Sequence, residues 1–166
     1  MQRSIATIVL TVWSAAVISA GGLQTPGVSS TAEIDREIWS VLSATVASDD
    51  IAGMGRVYFP DAVLVSPKET RSIKETLDRW GRDMVAAKAK GNRATVEFRF
   101  SRRQDDATTA FEAGLFKYTV IEQSGASRSN YYPFEMLLAK SGGKWRVLME
   151  RQFAEVNQAA WDKLSK

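Results

Sequence analysis

The hydrophobic period of this chain changes near Gly91, and that change limits the folds open to it. Before Gly91, apolar residues recur at helical spacing. Ile34, Ile38, Val41, Leu42 and Thr45 form one stripe, broadened by Trp39 and preceded by Ser30-Thr31-Ala32-Glu33, a capping-box pattern. Ile73, Leu77, Trp80 and Met84 form another, after the capping box Ser72-Ile73-Lys74-Glu75. Between them, Asp49 or Asp50 caps a short helix through Met54 and Val57. Phe59-Pro60 ends that helix, because a residue before proline disfavours helical backbone, and a short strand follows at 62–65.

After Gly91 the period is two. Ala94, Val96, Phe98 and Phe100 alternate with Thr95, Glu97, Arg99 and Ser101. Further strands are expected over residues 110–122, 129–140 and 144–154, with a short helix over 157–164. Gly114 marks a bulge or bend inside a strand. Gln104-Asp105-Asp106, Gln123-Ser124-Gly125 and Ser141-Gly142-Gly143 supply the turns. Helices followed by long hairpin-connected strands give an α+β domain, with helices on one face of an antiparallel sheet.

Two missing residue types narrow the chemistry. The 166-residue chain has neither cysteine nor histidine. That removes disulfides, thiol nucleophiles, His-based acid/base catalysis, Ser-His-Asp triads and imidazole metal sites. No metal site and no cofactor is expected. The net charge of +3 is spread among acids. The densest basic group, Lys88, Lys90, Arg93, Arg99, Arg102 and Arg103, reads as a solvated face, with no nucleic-acid partner.

Residues 1–20 read as a secretory signal peptide: Arg3, an apolar run from Ile5 to Ile18, then small residues. The run is too short to span a bilayer, which takes roughly 20 apolar residues. The mature protein is therefore expected in the periplasm or outside the cell, with no stable membrane span. An uncleaved anchor is the alternative. Residues 21–31 read as a linker and 32–166 as the folded domain.

Phe134 to Phe153 raises the functional question. Two apolar-rich strands carry Glu135 and Glu150, with Gln152 beyond. Facing inward, these groups make a polar patch in an apolar cup, with desolvated carboxyls of raised pKa. Facing outward, they decorate the solvent side of the sheet. Leu148 shares the parity of Glu150, whereas Trp145, Val147 and Met149 share the other, so alternation does not choose.

Three segments carry a family resemblance: Val57-Tyr58-Phe59-Pro60-Asp61-Ala62-Val63-Leu64-Val65-Ser66-Pro67, Ala110-Phe111-Glu112-Ala113-Gly114 and Gly143-Lys144-Trp145-Arg146-Val147. In order and spacing, residues 32–155 resemble the nuclear transport factor 2-like superfamily, in particular its SnoaL-like group. The resemblance implies a cone, a strongly curved antiparallel sheet wrapped around N-terminal helices, about three of them. It also implies a cavity open at one end. Members include isomerases, dehydratases, cyclases, association modules and binding proteins, so the fold leaves function open.

Ketosteroid isomerase chemistry needs an aspartate base, a tyrosine and a protonated aspartate. The resemblance puts Ser66 in the base position, Leu42 in that of the tyrosine and Glu135 in that of the protonated acid. Only the last keeps its chemistry. Dehydratases of the scytalone type rely on histidine, which this chain lacks. The expectation is therefore an exported domain that binds a small, mostly apolar molecule. The alternative is a cyclase, isomerase or lyase using Glu135 or Glu150 as acid/base, with Tyr58 or Tyr118 as donor. Candidate cavity residues are Glu135, Glu150, Gln152, Tyr58, Glu112, Tyr118 and Ser66. A homodimer is expected through the outer sheet face, with Arg151 and Phe153 in the interface.

Overall fold

The computed structural model describes residues 30–164; residues 1–20 and most of the linker lie outside the described residues. Helix α1 (Ser30–Ile34) continues through a π-helical turn, Asp35–Trp39, into α2 (Ser40–Ser48). The wider turn rotates the apolar stripe, so that adjacent Ile38 and Trp39 are both buried along with Ile34 and Leu42. Glu33, expected to close a capping box, accepts hydrogen bonds from Lys140 and from Trp145 Nε1, tying α1 to the last hairpin.

Asp49 ends α2 in left-handed backbone at φ 56°, a conformation that Asp tolerates better than most residues. Asp50 then caps α3 (Ile51–Gly55), its side chain accepting from the Gly53 N–H at 2.8 Å. Ser72 caps α4 (Ile73–Ala89) in the same way, accepting from the Glu75 N–H at 3.2 Å.

The strands are β1 (Tyr58–Val65), β2 (Thr70–Ser72), β3 (Arg93–Asp105), β4 (Thr109–Ile121), β5 (Ser127–Ser141) and β6 (Lys144–Gln152). They form one curved, open sheet in the order β2-β1-β6-β5-β4-β3, antiparallel except where β1 runs parallel to β6. Its concave face packs on α1 and α2. Ile34, Ile38, Phe134, Leu138 and Val147 fill the core there, at 0 to 1% exposure. Two expectations need correction. The first strand starts at Tyr58, so Phe59-Pro60 lies inside a strand with irregular pairing and does not end a helix. Strand β2, short and polar, has no hydrophobic period by which to foresee it.

Two bulges decide which side chains point inward. On β3 the register slips between Phe100 and Arg102, so inward-facing Phe100 is followed by inward-facing Arg103. Gly114 lies opposite. A Cβ there would come within 2.0 Å of the Arg99 carbonyl oxygen, so only glycine permits this approach. On β6 the slip falls at Leu148. Trp145 and Val147 face inward before it, and Glu150 and Gln152 after it.

The convex face is partly covered by the chain itself. Helix α5 (Gln158–Asp162) lays Trp161 against Tyr131 and Leu115. The Arg99 guanidinium lies 4.4 Å over the Trp161 ring and donates to the Trp161 and Leu164 carbonyls. Tyr131 therefore packs on this chain's own helix.

Candidate functional site

Leu77, Trp80 and Met84, the middle of the α4 stripe, are only partly buried. They fall short of tight packing because Trp80 and Met84 face a hollow of about 520 Å³. It lies between α4, the end of α2 and the concave side of the sheet. Its wall is apolar and aromatic, including Leu42, Val96, Phe98, Phe116, Tyr132 and Met136.

Polar groups occupy two places in this wall. One is buried. Glu150, on β6 opposite Met136, is 4% exposed. Tyr58 donates its hydroxyl to Glu150 Oε2 at 2.6 Å, and Gln152 Nε2 donates to Oε1 at 2.7 Å. Both carboxyl oxygens are thereby held in place. Burial pushes the Glu150 pKa up, and the hydrogen bonds from Tyr58 and Gln152 oppose the rise. Burial also pushes the Tyr58 phenol well above its ordinary value, and the neighbouring carboxylate adds to the effect. Such a group can accept a hydrogen bond from a molecule in the hollow, or exchange a proton with it.

The other polar place is the rim, where Asp49, Asp83 and Asn92 line the opening. Asp83 is exposed and Asp49 half-buried. Tyr118, also in the wall, has its pKa raised by burial and then by the charges of Asp49 and Asp83.

Tyr58, Tyr118, Glu150 and Gln152 all line the hollow. Glu135 does not. It sits on the convex face opposite Arg151, their charged groups 3.7 Å apart. The Leu148 bulge explains the separation, because it turns Glu150 inward beside Met136 while Glu135 and Arg151 stay outside. Glu135 and Glu150 thus lie on opposite faces and share no proton. Ser66 is not in the hollow either. It closes the β1–β2 turn, donating to the Glu69 carbonyl at 3.0 Å and accepting from the Glu69 N–H.

Glu112 faces inward but lies beneath Trp39, away from the hollow, at 0% exposure. It accepts hydrogen bonds from Trp39 Nε1 and from Arg103 Nε, the latter at 2.7 Å. Arg103 also reaches Asp35 on the π-helical turn at 2.6 Å. Burial raises the Glu112 pKa against the opposing influence of Arg103. The cluster fastens the first helix to the sheet. Sequence reasoning missed the rim acids, Asp49 and Asp83, which carry no periodic signal. It read Trp80 as core because its spacing is that of a core stripe.

No protein-family profile matches the sequence, and a comparison with curated proteins finds no match. Solved structures do match in shape. An NTF-2-like protein of unknown function from Shewanella oneidensis is 15% identical, with a TM-score of 0.60 over 75% of this chain and 98% of that one. A nuclear transport factor 2-like superfamily protein from Salmonella enterica is 13% identical, with a TM-score of 0.57 over 74% and 91%. The chain has the nuclear transport factor 2-like fold. A ketosteroid isomerase-like protein from Erwinia carotovora shares it, at 18% identity and a TM-score of 0.55 over 76% and 95%. Within this nuclear transport factor 2-like domain, the buried phenol and carboxyl come from β1 and β6, as Tyr58 and Glu150. The positions carried over from ketosteroid isomerase hold a turn serine, a wall leucine and an outer-face glutamate: Ser66, Leu42 and Glu135.

Proposed function

We propose that the protein is an exported binding protein that holds a small, mostly apolar molecule in this hollow, its polar group docked on Glu150, Tyr58 and Gln152. The observation that carries the reading is the contrast between an aromatic wall and one buried, doubly hydrogen-bonded carboxyl within it. Ligand pockets commonly enclose about 300–1,000 Å³ with a few fixed polar groups, and a hollow of about 520 Å³ falls within that range. Burying Glu150 costs stability, and binding supplies a reason to keep it there. Export rests on the signal-like residues 1–20. A homodimer rests on Val63, Leu137 and Leu148, large apolar side chains left exposed.

A second reading, a small isomerase, cyclase or lyase, is favoured by one observation. The raised Glu150 pKa moves the group toward the range of a general acid, and the Tyr58 hydroxyl is 2.6 Å away.

The test is titration with the neutral apolar dye Nile red, followed by its emission. Stoichiometric binding is expected. Ala87→Trp, at the edge of the hollow, should weaken it, whereas Glu135→Gln on the outer face should leave it unchanged. No binding, or binding indifferent to Ala87→Trp, refutes the reading. Sedimentation velocity of the mature protein tests the dimer.

A further inference from the structure

The chain is basic overall, yet its hollow is not. Carboxyl groups line it at Asp49, Asp83 and Glu150, and among the described residues no lysine or arginine does. The nearby cations act from outside the wall. Lys88 lies 3.9 Å from Asp49 on a largely exposed side chain. Arg128 acts on Tyr132, and Glu155 acts on it in the opposite sense. An anionic ligand would enter past the rim carboxylates and meet no lysine or arginine in the wall among the described residues. A cationic one would meet the reverse.

The geometry reinforces the sign. Trp80, Phe116, Tyr118 and Tyr132 share the wall with the rim acids, and aromatic faces attract cations through their quadrupole. The buried end offers acceptors. Tyr58 spends its proton on Glu150 and keeps oxygen lone pairs free, and the Glu150 oxygens retain further lone pairs. We infer that the hollow selects an apolar molecule bearing one protonated amine or quaternary ammonium group, its charge at the rim between Asp49 and Asp83 and its body against the aromatic wall. This inference rests on the binding reading above and narrows it to one class of ligand.

Tyr118 lies in the same wall as both rim acids. Its phenol responds to both Asp49 and Asp83, so the two carboxylates act on the same patch of wall. Neither carries a hydrogen-bonded cation: Asp83 has no ion pair among the described residues, and the Asp49–Lys88 contact is long. A ligand cation would therefore not have to break a strong protein ion pair.

The experiment is displacement of Nile red by three naphthalene compounds of matched size: 2-(2-naphthyl)ethylammonium, 2-(2-naphthyl)ethanol and 2-naphthylacetate. Expected is a preference for the ammonium over the alcohol of about tenfold at low salt, with the carboxylate weakest. Raising the salt should shrink the preference, because the rim is solvent-exposed. Asp83→Asn, on the exposed face of α4, should cut the ammonium preference several-fold and leave the alcohol unchanged. Equal displacement by ammonium and alcohol, strongest displacement by the carboxylate, or a preference unmoved by Asp83→Asn overturns the inference while the binding reading stands. If Nile red itself fails to bind, the binding reading falls and this inference with it.

Discussion

Replacing Arg103 with methionine should expose how the first helix is held. The substitution keeps an apolar stem of similar length but removes the only cation bonded, among the described residues, to Glu112, which is fully buried. Breaking a buried pair from one side costs about 3–5 kcal/mol, because the remaining charge loses its partner without regaining water. Arg103 is 22% exposed at its side chain, which argues for the lower end, about 3 kcal/mol near pH 8. The cost should depend on pH. The folded-state pKa of Glu112 already lies above 4.5, so the native state binds more protons than the unfolded one as pH rises from 4.5 through that pKa. Stability falls across that window. Without Arg103, which opposes the rise, the shift grows and the fall deepens. Near pH 4 the carboxyl is mostly protonated in both states and most of the penalty disappears. Urea unfolding followed by tryptophan fluorescence, at pH 4 and pH 8, measures both. In Arg103→Met/Glu112→Gln the buried charge is gone, while the amide oxygen still accepts from Trp39, so most of the loss at pH 8 should be recovered. Equal costs at the two pH values, or additive effects in the double variant, would refute the electrostatic account.

Three further outcomes are expected. Thermal melts from pH 4 to pH 8 should show Glu150→Gln gaining on the wild type as pH rises. Burial raises the Glu150 pKa, so the native state loses stability as that group ionises, and glutamine has no such cost. Gly114→Ala should destabilise by about 1–3 kcal/mol or more in urea titration, since its Cβ would lie 2.0 Å from backbone oxygen that cannot swing aside. Trp161→Ala should cost about 3–5 kcal/mol and expose Tyr131 and Leu115, read as faster hydrogen exchange in the middle of β4 and β5.

Much of this architecture was legible because its causes are local. A helix announces itself by apolar residues every third or fourth position and by a serine that caps its first turn, as at Ser72. A long hairpin announces itself by alternation and by glycines with positive φ, as at Gly142 and Gly143. The four long strands and the main helices follow from such signals. The candidate site was only half legible. Tyr58, Tyr118, Glu150 and Gln152 were named from sequence and do share one hollow. Glu135, Ser66 and Glu112 were named beside them and lie elsewhere.

What the amino-acid order determined alone was the kind of element along most of the chain, β2 and the start of β1 excepted, and the chemistry excluded by lacking histidine and cysteine. What tertiary structure decided was facing. A strand's alternation says that neighbouring residues point to opposite sides, but not which side is inside. One extra residue at Leu148 reverses the answer for everything after it. That residue is extra only relative to a partner strand, so its effect is a property of cross-strand register. Pairing β6 with β5 on one edge and β1 on the other turns Glu150 into the hollow and leaves Glu135 on the outer face beside Arg151.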